Sequence, residues 1–169
     1  MWPLGSTNLG WVTDYTNKYA RTLERKTHNV LVSGLRPGET IQVGARAMFT
    51  GPDEPDRMIE AYVVVTSQRT IIQLLNTRRP WKLPLAKLQF ENSQISELLV
   101  PTDRSWCRVT VRDYLPTPPI VDPQNPDNVV DGGLFVGPSG SDLVDVLTRV
   151  VREAGGEVSA SDDQSAPDH

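Results

Sequence analysis

Apolar residues recur every four positions at Trp11, Tyr15, Tyr19 and Leu23, with Asp14, Lys18, Arg21, Arg25 and Lys26 mostly between them. That spacing predicts an amphipathic helix over residues 11–28 whose aromatic stripe packs on another element. Residues 1–10, rich in Gly, Pro and Ser, read as a flexible lead-in. From residue 29 the hydrophobic period shortens to two. "NVLVSGL" is read as extended, Pro37 and Gly38 form a turn, and "TIQVGARAMF" alternates apolar with polar positions. Pro52 and Pro55 make "GPDEPD" a wide loop. "MIEAYVVVT" and "RTIIQLL", joined through the polar residues Thr66 to Gln68, predict a hairpin. "WKLPLAKLQF", "QISELLV" and "WCRVTVRDYL" continue the series of short strands. Turn signals spaced by about 8–12 residues favour an antiparallel sandwich or barrel over a parallel α/β sheet.

Five prolines, Pro116, Pro118, Pro119, Pro123 and Pro126, exclude helix and central strand from a long connection at residues 116–131. "LFVG" is a last strand. "SDLVDVLTRVVREAGG" is the clearest helix: Ser139 or Ser141 is placed to cap it, Asp142 and Asp145 suit the positive end of its dipole, and Gly155 and Gly156 stop it. Leu143, Val146, Leu147, Val150 and Val151 fall on one face, which predicts docking on the sheet. The expectation is a mainly β fold with α, an antiparallel β-barrel or sandwich of about seven strands capped by a C-terminal amphipathic helix, with an extra helix in front. Residues 29–155 form the domain, and residues 156–169 a disordered acidic tail.

Composition narrows the function classes. The chain has 169 residues, room for one core, and 38% apolar and 22% charged residues are ordinary for a globular protein. Its longest apolar run is far short of the roughly 20 residues of a membrane span, and the N-terminus lacks the pattern of a secretory signal, so a cytoplasmic location is expected. Cys107 is the single cysteine, which rules out an intrachain disulfide and a thiolate metal cluster. Of the net charge of −4, Glu157, Asp162, Asp163 and Asp168 in the tail supply all, leaving an electrically balanced body with no general attraction to nucleic acid.

Several stretches, taken in order, resemble the pleckstrin-homology (PH) superfold, and in particular its bacterial PH-like and GRAM-like branch. "LRPGETI" resembles the approach to that branch's first strand. "YVVVTSQRTII" is similar to its central hairpin, where a Thr and an Arg flank the turn. "WKLPLAKLQF" is similar to the strand that follows, and "LFVG" with the helix at residues 142–154 to the closing strand and cap. The resemblance spans residues 35–154 and implies a barrel plugged by its helix, serving as a binding platform. The N-terminal helix and the proline-rich connection depart from the usual pattern. Some members bind phosphoinositides through basic residues of the first hairpin loop. Here that loop carries Asp53, Glu54 and Asp56 against Arg57, with only the loose set Arg46, Arg57 and Arg69 to offset them, which disfavours a phosphorylated headgroup.

A better candidate surface is the basic stretch Arg78, Arg79, Lys82 and Lys87, four positive charges in ten residues with Trp81 among them. An aromatic beside arginines can make cation–π contacts or anchor a protein interface. The plainer alternative places Arg78 and Arg79 in a solvated turn and Trp81 in the core, since strand alternation sends Trp81 and Lys82 to opposite faces. Pre-extended proline segments dock in aromatic grooves, which adds Tyr114, Pro116, Pro118 and Pro119 to the candidates. No catalytic, cofactor-binding or metal-ligating set is expected. His28 and His169 are the only histidines, Cys107 has no base nearby in sequence, and "DGGLFVG" lacks the lysine of a phosphate loop. The reading is a non-catalytic module for protein partners or self-assembly. The alternatives are a peripheral adaptor holding anionic lipid through the basic stretch, and an enzyme whose site is assembled from scattered carboxylates and Cys107.

Overall fold

The structure, a computed structural model, describes residues 24–51, 57–75, 87–114, 129–136 and 140–161. The start of the predicted first helix, most of the "GPDEPD" loop, residues 76–86, most of the proline-rich connection and residues 162–169 lie outside them. Helix α1 is described over residues 24–33. Among the described residues eight strands follow: β1 (Ile41–Thr50), β2 (Ile59–Thr66), β3 (Arg69–Leu74), β4 (Lys87–Glu91), β5 (Ile95–Pro101), β6 (Trp106–Val111), β7 (Val130–Phe135) and β8 (Glu157–Ser161). A short 3₁₀ turn, Asn92–Gln94, links β4 to β5, and helix α2 (Ser141–Glu153) lies between β7 and β8. All eight strands belong to one sheet in the order β4-β3-β2-β1-β7-β6-β5-β8. The fold is mainly β with α, as expected, although the sheet is mixed: the first seven strands pair antiparallel, and β8 runs parallel to β5.

Period-two patterning gives the sheet two unlike faces. Ala47, Phe49, Ala61, Val63, Val65, Ile72, Leu98, Val109 and Leu134 form the inner face, against which α2 buries Leu143, Val144, Leu147, Val150 and Val151. Val144, rather than the expected Val146, completes the helix's buried stripe, and Val146 packs at its margin. Burying such side chains contributes about 1.5–3 kcal/mol each in transfer terms, which holds α2 on the sheet. Ser141 is the first residue of the helix rather than its cap, and Ser139 lies outside the described residues. Gly140 occupies the cap without a side-chain bond, and a Cβ there would stand 2.4 Å from Val136 Cβ, so close passage past β7 selects glycine. Asp145 is used differently too, as the acceptor of a hydrogen bond from Arg104.

The outer face carries α1. The predicted change to β at residue 29 does not occur, and the helix continues through Ser33. Thr27 and Leu31 are buried and Glu24 and His28 half-buried, which makes one stripe at helical spacing. The β preference of Val30 and Val32 yields to that packing, leaving both exposed. Leu31 sits on Tyr62, Val64, Ile71 and Leu75, His28 Nδ1 lies 3.0 Å from the Tyr62 hydroxyl, and Arg46 pairs with Glu24 at 2.8 Å. Gly44 leaves room for this, since a Cβ there would lie 2.4 Å from the Tyr62 oxygen.

Residues 157–161, expected to belong to a disordered tail, form a strand instead. Gly155, at φ +90°, ends α2, and Gly156 then passes so close to β5 that a Cβ would meet Ile95 O at 2.5 Å. Glu157–Ser161 can therefore pair with Glu97–Pro101 as strand β8, with Val158 packed at the edge of the main core. Among the described residues, no helix is long and apolar enough to cross a membrane.

Candidate functional site

The motif flanking the β2–β3 turn builds a polar junction where α1, β1, the turn and β4 meet. Thr66 ends β2 and Arg69 begins β3, so the connection is two residues, Ser67 and Gln68. The Thr66 hydroxyl accepts the backbone N–H groups of Gln68 and Arg69 at 3.1 and 2.9 Å and donates to Glu39 Oε2 at 2.7 Å. Arg69 Nε and Nη2 donate to the two Glu39 oxygens at 2.9 and 3.0 Å, and Nη2 also reaches Gly34 O, tying the end of α1 to the turn. The Glu39 side chain has 0% and the Arg69 side chain 10% of its surface exposed. Burial by itself would push the Glu39 carboxyl up. The hydrogen bonds from Arg69, the Arg36 backbone and Thr66, together with the Arg69 charge, outweigh it and hold the carboxyl down at about 2.

A second layer closes the junction. Arg36 donates to both Glu91 oxygens at 2.9 and 2.6 Å, a bidentate pair that holds the Glu91 carboxyl below its ordinary range. Asn92 donates to Thr66 O at 2.9 Å and accepts from the Thr70 hydroxyl at 2.9 Å. Every group of this network is turned towards another part of the fold, so its chemistry is that of a structural clamp. It also removes Arg69 from the loose basic set considered for anions. Arg46 is withdrawn in the same way by Glu24.

Of the sequence-predicted surface, Lys87 is the exposed first residue of β4. Tyr114 follows β6, where it is partly buried against the main core, and burial raises its phenol pKa. These two do not lie on neighbouring strands. Arg78, Arg79, Trp81, Lys82, Pro116, Pro118 and Pro119 lie outside the described residues. Cys107 is fully buried in β6, and burial pushes its thiol up to about 12, far from the range of a nucleophilic thiolate.

Sequence reasoning did not anticipate the surface on the other half of the outer face. Glu157 of β8 stands beside Glu97 of β5, Glu97 opposite Thr110 of β6, and Thr110 opposite Asp131 of β7. Partners in register share a face, so these residues form one row across four strands. All three carboxylates are exposed, and the Thr110 hydroxyl donates to Asp131 Oδ1 at 2.9 Å. Deeper on the same face, Trp106 and Phe135 pack with tilted rings at 6.5 Å between centroids, flanked by Met48 and Leu99. The buried Trp106 Nε1 has no hydrogen-bond partner among the described residues. The acidic row joins residues as distant in sequence as Glu97 and Glu157, which no local motif can reveal. The available signal was the alternating "EVSAS" after the double glycine.

No protein-family model matches the chain, and no curated protein matches it. Among solved structures, the hSac2 domain from the human phosphoinositide phosphatase Sac2 is similar to it, with a TM-score of 0.50 at 7% identity, over 89% of this chain and 96% of that one. The C-terminal domain of an unknown protein from Leishmania infantum is a further structural neighbour, with a TM-score of 0.46 at 14% identity over 79% of this chain and 98% of that one. At such identities the likeness to the hSac2 domain concerns the β-rich fold alone.

Proposed function

We propose that the chain is a non-catalytic PH-like module that binds a protein partner or assembles with itself. The observation that carries this reading is chain order. Seven consecutive strands paired antiparallel, followed by a helix packed across the inner face, support it, since the resemblance implies about seven antiparallel strands capped by a C-terminal helix. The Thr66 and Arg69 pair at the central hairpin supports it further, because the motif that suggested the branch forms the clamp on which the hairpin closes. The buried, strongly protonated Cys107 thiol argues against the one nucleophile considered for an enzyme. Fold analogy constrains shape more than role, so the test must read binding directly.

Light scattering on the full chain reads self-association, and crosslinking in extract with identification of the captured protein reads a partner. A defined oligomer, or a partner whose saturable binding is weakened by Trp81→Ala with the fold intact, is the expected result. A monomer without a saturable protein partner that instead floats with anionic vesicles, and releases them as salt rises, would replace this reading with the lipid-adaptor one.

A further inference from the structure

Strand β8 ends the sheet, and its one strand neighbour among the described residues is β5. Among the described residues, the N–H and C=O groups that point away from β5 thus have no strand partner and form an open edge, the feature on which an added strand is built. The two faces beside this edge differ. Val158 turns to the main core, and Glu157 stands on the outer face beside Glu97, in the row that continues to Asp131. Among the described residues, neither Glu157 nor Glu97 has an ion-pair partner, and adjacent like charges on paired strands repel. A strand laid on this edge would bring every second side chain onto the acidic row and the intervening ones towards the core margin at Val158.

We infer that the β8 edge docks an extended segment of a partner protein in which basic side chains alternate with apolar ones, added to the sheet as a ninth strand. The inference rests on reading the chain as a protein-binding module and names the kind of partner and the place. A second copy of the chain paired through its own β8 does not fit, because it would bring another Glu157 and Glu97 onto the same, already acidic face. Anionic vesicles are repelled for the same reason.

The test uses the full isotope-labelled chain and a synthetic peptide of alternating lysine and valine, followed by amide chemical shifts at low and moderate salt. Saturable shifts concentrated at residues 95–101 and 157–161 are expected. Affinity should fall about tenfold in the Glu97→Lys, Glu157→Lys double variant, whose remaining spectrum reports an intact fold. The same peptide methylated on alternate backbone nitrogens should lose binding, because it cannot pair with an edge. Absence of shifts, shifts centred elsewhere, or equal binding by the methylated peptide would each overturn the site. If light scattering or crosslinking meanwhile shows an oligomer or a protein partner, the module reading stands and only the β8 site falls. If those measurements find neither, the module reading itself fails.

Discussion

Glu39 and Arg69 stand 30 residues apart in sequence and form a buried ion pair, with Nε donating to one carboxylate oxygen at 2.9 Å and Nη2 to the other at 3.0 Å. The pair joins the end of α1, the start of β1 and the β2–β3 turn. Removing one partner leaves the other charged and buried, which is costlier than removing both. Glu39→Ala should therefore destabilise the domain by about 3–5 kcal/mol in urea unfolding. Glu39→Leu combined with Arg69→Met should recover much of that loss. If the double variant is no more stable than the single one, the remaining contacts of Thr66, Gly34 and Arg36 carry the junction instead.

The same carboxylate sets an acid limit. Its pKa in the folded chain is about 2 against an ordinary value of 4.5, so the unfolded chain binds the proton first as pH falls. The stability contributed by ionised Glu39 is complete above pH 4.5 and is lost progressively from there down to about pH 2. Unfolding free energy measured across that window should fall with a shallower slope in Glu39→Gln than in the wild type. Equal slopes would show that other carboxylates, such as Glu91, dominate the acid response.

Strands are legible in the sequence where one face is buried and the other is not, and β1 and β6 follow their period-two patterns closely. The second half of α1 reads as β because Val30 and Val32 carry β preference, while the deciding contacts, Leu31 on Tyr62 and His28 beside its hydroxyl, are made with a strand some 30 residues away. β8 is hidden because its small and acidic residues resemble a tail in composition. Its pairing depends on Gly156 passing Ile95 O, a relation absent from any local window. For the candidate site, Thr66 and Arg69 stand out as a motif. Their partner Glu39 and the row of Glu97, Asp131 and Glu157 exist only through the register of the folded sheet.

Cys107 offers a clean probe of that sheet. Its side chain is buried in the main core, and its thiol is pushed up to about 12, so the reactive thiolate is suppressed in the folded chain. A thiol reagent should label the native protein only as fast as β6 opens. Labelling should become stoichiometric in denaturant with the midpoint seen by fluorescence. Rapid labelling of the native chain would mean that β6 opens locally without global unfolding.

Gly156 decides whether β8 joins the sheet. The residue before it, Gly155, needs glycine for its positive φ of 90°, but a Cβ there would have nothing within 4 Å. Gly155→Ala should therefore cost only the backbone strain of about 1–2 kcal/mol. At Gly156 the obstacle is steric. A Cβ would meet Ile95 O at 2.5 Å and Val151 Cγ1 at 2.6 Å, and the first of these is backbone at the start of β5. Gly156→Ala can be accommodated only by moving β8 away from β5, because α2 is held by five buried side chains and β5 by its pairing with β6. Hydrogen exchange should therefore quicken at residues 157–161 and along the newly exposed edge of β5, while the amides of β1 to β3 keep their protection. Gly155→Ala should lower overall stability without this local signature. If both variants quicken exchange uniformly, β8 is not a separable element, and the turn acts on the whole domain through α2.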